Sequence, residues 1–141
     1  MISKNRSALL LMVALVLSVC SYAQAKLSVH WSESVVDFGA VHLNGSASHK
    51  VAVKNNGTSP VVLTSAGFVR TLSKDSSIVT EFGAVAPAKE KVLWPGETAE
   101  FILMFFPKVV GAREAKLLIE FGVEKDRKIV QAITCRGEGV N

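Results

Sequence analysis

The chain has 141 residues, with 16 Lys and Arg against 12 Asp and Glu and a formal net charge of +4 at pH 7. The charges are interspersed and form no basic stripe, which argues against nucleic acid as a partner. The length suits one domain, large enough to bury a core without disulfide or metal staples.

The first residues read as a targeting segment. Lys4 and Arg6 precede "ALLLMVALVLSV", Ala8 to Val19, an apolar run too short to span a bilayer comfortably. "SYAQA" follows, with Ala23 and Ala25 in an A-x-A arrangement, which predicts a cleaved signal peptide over 1–25. A buried or membrane-anchoring N-terminal helix is the bland alternative. "LSVC" also approaches a lipoprotein box, so lipidation at Cys20 competes with cleavage after Ala25, although Val19 occupies the small-residue position. Membrane contact is expected only if Cys20 is lipidated. Cleavage leaves residues 26–141 and a single cysteine, Cys135, which reads as a small apolar core residue and could otherwise pair between chains.

The remaining chain alternates with period two and keeps no sustained helical period. Leu27, Val29 and Trp31 alternate with Ser28 and His30. Val35, Val36 and Phe38 lead into "FGAVHLNG". His49–Lys54 reads as a strand, Asn55-Asn56-Gly57 as a turn, and Pro60–Leu63 as the next strand. In Thr64–Trp94, "SIVTEF" suggests a short strand and "GAVAPAKEKV" a connection. "WPGE" is a turn, Phe101–Phe106 a strand, and Pro107–Gly111 another turn. Arg113–Phe121 and Ile129–Cys135 are the last strands, and "RGEGV" closes the domain. The expectation is an all-β sandwich or barrel of about seven or eight antiparallel strands.

The order of motifs resembles the ASPM/Hydin (ASH) group of immunoglobulin-like domains, related in fold to the major sperm protein domain. The residues that carry it are Phe38-Gly39 with Val41, Val53 with Asn55 and Gly57, Pro95-Gly96-Glu97, Phe105 with Pro107, Gly111, and Gly137 with Gly139. The match runs from about Val35 to Val140. The long Thr64–Trp94 segment departs from a compact member, and the cysteine pair that some bacterial relatives carry is missing. The resemblance implies an immunoglobulin-like β-sandwich acting as a structural or protein-binding module, without catalysis or cofactor.

The residues themselves point the same way. His30, His42 and His49 have no metal-site spacing and read as solvent-facing, and no His or Met follows Cys135 as a blue-copper site requires. No serine lies in a G-x-S-x-G elbow, and the carboxylates are scattered among lysines. Neither a catalytic residue nor a metal ligand is assigned. Asn44 and Asn56 fit glycosylation sequons but are turn chemistry first.

One stretch breaks the pattern. In "EFILMFFP", Phe101, Leu103 and Phe105 take one face, so Ile102, Met104 and Phe106 take the other. A strand with a wet outer face would be polar there. Leu118 would add to this outer patch if the two strands were neighbours. Either the chain's own Thr64–Trp94 segment covers the patch, or a protein partner or second copy does. Ile102, Met104, Phe106 and Leu118 are therefore the candidate partner-binding residues. The expected function is an exported, non-enzymatic structural or protein-binding module. The alternatives are a periplasmic chaperone-like or surface-assembly component that binds a client strand by β-augmentation, with "KLSVHW" as one candidate edge, and, last, a small secreted enzyme.

Overall fold

The structure, a computed structural model, describes residues 28–68, 80–123 and 127–141. The predicted signal peptide, Cys20 and the first half of "SIVTEF", residues 77–79, lie outside these residues. Nine strands are present among the described residues: β1 (Val29–Trp31), β2 (Val35–His42), β3 (Ala47–Asn55), β4 (Val61–Phe68), β5 (Phe82–Val85), β6 (Val92–Leu93), β7 (Thr98–Phe105), β8 (Gly111–Val123) and β9 (Arg127–Val140). They form two sheets, ordered β1-β3-β7-β5 and β2-β9-β8-β4-β6.

The alternation seen in the sequence becomes the sandwich interior. Ala99, Phe101, Leu103 and Phe105 of β7 are buried, as are Ala115, Leu117, Ile119, Phe121 and Val123 of β8. Val51 and Val53 of β3 and Ile133 and Cys135 of β9 complete the two inner layers. Each fully buried Leu or Phe here contributes about 1.5–3 kcal/mol relative to exposure.

Two expectations need correction. Not every strand pair is antiparallel, because β2 runs parallel to β9. The N-terminal segment pairs with β3 through β1, then crosses to the second sheet as β2. Within β2, Gly39 adopts φ +66° at a register shift between Asp37 and Ala40. Asp37 fixes this kink by accepting the Gly39 N–H at 2.9 Å. The second correction concerns "GAVAPAKEKV", read as a connection. Its first three residues belong to β5, which pairs with β7. A run of Ala and Gly hides this strand, and Phe82 anchors it by stacking on Phe105 with ring centroids 4.8 Å apart.

The motif residues are knots of the framework. Asn55 is fully buried, donates from Nδ2 to the Ser59 and Leu93 carbonyls at 2.8 and 2.9 Å, and accepts the Gly57 N–H at 2.9 Å. It thereby joins the end of β3, the following turn and β6. In the Pro95-Gly96-Glu97 turn, Gly96 has φ +84°, and the Glu97 carboxylate accepts the Trp94 N–H at 2.9 Å. Gly137 and Gly139 permit close approach. A Cβ on Gly137 would lie 2.5 Å from the Phe105 ring, and one on Gly139 would lie 2.2 Å from the Val109 carbonyl oxygen.

Candidate partner-binding face

β7 lies inside the first sheet, between β3 and β5, and its even-numbered side chains point outward. Ile102 is 39% exposed, Phe106 just beyond the strand is 42% exposed, and Met104 is half-buried. What joins them is a residue without a side chain. Gly83 of β5 sits opposite Met104, and a Cβ there would lie 3.5 Å from Met104 Cε and 3.8 Å from Phe106 Cε2. Met104 and Phe106 thus lie over the β5 backbone. Val85, opposite Ile102 and 53% exposed, extends the surface. On the β3 side it ends at Ser48, opposite Met104, and Lys50, opposite Ile102. Lys50 Nζ lies 3.5 Å from a Glu100 carboxylate oxygen, both well exposed.

Leu118 does not join this patch. β8 belongs to the second sheet, where Leu118 sits between Gly67 of β4 and Ala132 of β9. The outer faces of the two layers point in opposite directions. Adjacency of β7 and β8 in the chain does not make them neighbours, because the chain crosses between sheets. Val85 and Gly83 were missed in the sequence. The available signal was the alternation of Phe82 and Ala84 with Gly83 and Val85. Of the Thr64–Trp94 segment, β5 lies beside β7 and not across its outer face; residues 69–79 lie outside the described ones.

The patch is held from below by an aromatic cluster. Phe82 lies 6.1 Å from both Phe38 and Phe68, and Phe38 lies 5.8 Å from Phe105, measured between ring centroids. At the start of β5, Glu81 accepts the Phe106 N–H on its main-chain oxygen at 2.7 Å. Its carboxylate is buried 3.0 Å from Arg113 Nε of β8, a charge pair bent off the N–H axis. The carboxylate also accepts the Thr80 N–H at 3.0 Å. These contacts fix the edge strand to both sheets.

The remaining titratable groups are dispersed. His49 Nε2 lies 2.8 Å from Glu33 Oε1 at the surface, His30 contacts Ser28, and His42 is exposed. Among the described residues, no group of three His, Cys, Asp or Glu side chains could hold a metal ion. Cys135 is buried, and desolvation pushes its thiol up to about 11, which disfavours the reactive thiolate.

Comparison with known proteins gives the fold. An ASH/PapD-like domain of human CEP192 superposes with a TM-score of 0.63 over 79% of this chain and 84% of its own, at 14% identity. The fold is that of the ASH/PapD-like domains. The periplasmic chaperone SfaE matches with a TM-score of 0.58 at 11% identity, over 81% of this chain and 59% of its own. A segment of the Vibrio cholerae protease VesB matches with a TM-score of 0.61 at 15% identity, over 79% of this chain but only 31% of VesB. No family model and no curated protein matches the chain. The same sandwich thus occurs in an ASH/PapD-like domain, in a periplasmic chaperone and as a part of a protease.

Proposed function

We propose that residues 26–141 form an exported, non-enzymatic protein-binding module, released from a signal peptide at 1–25, whose partner surface is the outer face of β5 and β7. The observation that carries this reading is the apolar surface of Val85, Ile102, Met104 and Phe106 on a sheet face that ordinarily carries polar side chains. Each such side chain would contribute about 1.5–3 kcal/mol when covered, before the costs of association. The basic, apolar, A-x-A pattern of the first residues supports export, and the likeness to periplasmic chaperones fits such a setting.

Photo-crosslinking from position 104 in the exported compartment tests the proposal. A discrete intermolecular adduct, competed by unlabelled protein, is expected, and its mass would identify the partner. A crosslink only into residues 64–94 would make the patch this domain's own covered surface and overturn the partner reading.

A further inference from the structure

The pairing of β5 with β7 stops halfway along β7, at Val85 opposite Ile102, and a proline follows two residues later. β7 exchanges main-chain hydrogen bonds with β3 through its odd residues, as the Asn55 N–H to Glu97 O bond shows. Its even residues face the β5 side, where the Phe106 N–H bonds Glu81 O and the pairs Met104 with Gly83 and Ile102 with Val85 follow. The next position in this register sets Pro87 opposite Glu100. Proline has no N–H to give, so the ladder cannot continue. The chain then departs to the second sheet, where Leu63 accepts the Glu90 N–H and donates to Lys91 O, each at 2.9 Å.

The departure leaves a groove of about 690 Å³ beside the first half of β7, lined by Thr98 and Glu100 on one wall and Pro87, Lys89 and Lys91 on the other. The main-chain N–H and C=O of Thr98 and Glu100 are directed into it, and no described main-chain group bonds them on that side. Val85 and Ile102, at its end, are part of the apolar face. The sheets have other edges, β2 with 8 residues and β1 and β6 with 3 and 2, but this one opens beside the apolar face of β5 and β7.

We infer that this groove takes a short extended segment of a partner protein, which continues the line of β5 and adds to the sheet beside Thr98–Phe101. Its residue opposite Glu100 exchanges both main-chain hydrogen bonds with Glu100, in place of the N–H that Pro87 lacks. The outward side chain at that position is apolar and rests against Val85 and Ile102. Lys89 and Lys91 have no ion-pair partner among the described residues. With Glu90 between them and Lys50 paired to Glu100, the groove keeps a net positive charge, which favours a carboxylate at the flank of the segment. The inference rests on the reading of this chain as a protein-binding module and specifies how the partner is held.

The test selects binders to the full chain from a displayed library of random dodecapeptides. Amide hydrogen exchange is then measured with and without the selected peptides. Binding is expected to protect the Thr98 and Glu100 amides. Glu100→Pro removes an N–H that points away from β3, so the sheet is retained while affinity drops by at least about tenfold; Glu100→Gln keeps affinity. Pro87→Val supplies the missing donor, extends β5 by one pair and closes the groove, with a similar loss. If Glu100→Pro lowers thermal stability, Pro87→Val decides alone. Binders indifferent to both substitutions, or no enrichment over the Glu100→Pro protein, would overturn the inference. A partner adduct from position 104 that persists in Pro87→Val would also overturn it while leaving the apolar-face reading intact. Groove-dependent peptides with no adduct from position 104 would support the groove and sink that reading.

Discussion

Two regions of this molecule contrast in what their residues are for. Around Asn55 and around Gly137 and Gly139, each motif residue is fixed by a contact that no other residue type can make. Asn55 satisfies three main-chain groups in the interior, and the two glycines admit a phenyl ring and a carbonyl against the β9 backbone. On the outer face of β5 and β7, by contrast, Ile102, Phe106 and Val85 are exposed, and the framework would tolerate polar replacements. The family-like motifs therefore report how the sandwich is closed. The apolar surface of β5 and β7 lies where those motifs are silent.

Substitutions should separate the two regions. Gly139→Ala is expected to have the largest effect, about 3 kcal/mol of lost stability, because its Cβ meets a main-chain oxygen that no rotamer change can move. Chemical denaturation measures it. A loss under about 1 kcal/mol would mean that the Pro107–Val110 loop is free to shift. Asn55→Ala should cost about 2 kcal/mol by stranding the Leu93 and Ser59 carbonyls and the Gly57 N–H. Near-wild-type melting would show that water replaces the side chain.

Met104→Asp inverts the pattern. Stability should change by less than about 1 kcal/mol, while partner capture from a crosslinker moved to position 102 falls at least about tenfold. Leu118→Asp, on the opposite face, should change neither, and equal losses from both would break the distinction between the faces.

The smallest effect concerns acid. The Gly39 N–H, then Arg136, hold the exposed Asp37 carboxylate below its ordinary value of 3.8. A lowered folded value means that the ionised form favours the fold. This contribution is present above 3.8 and fades as pH falls through the folded value. Carbon-detected titration should place the Asp37 midpoint below 3.8, and Asp37→Asn should slightly flatten the acid limb of stability. A midpoint at or above 3.8 would contradict the kink geometry.

The sequence by itself determined the strands and turns that local chemistry dictates. Alternation placed Phe101, Leu103 and Phe105 inside and Ile102, Met104 and Phe106 outside, because a pleated strand sends successive side chains to opposite faces. Turn residues such as Asn44 and Gly96, which adopt φ 63° and +84°, marked where the chain reverses. Only the tertiary structure decided which strands are neighbours. It separated Leu118 from the patch by setting β8 in the other sheet, added Val85 and Gly83 by drawing β5 alongside β7, and paired β2 in parallel with β9. It also brought Glu81 to Arg113 across 32 positions of chain and ended the pairing of β5 with β7 at Val85 and Ile102. Strand neighbours depend on how two layers share one core, a long-range packing choice that no local pattern encodes.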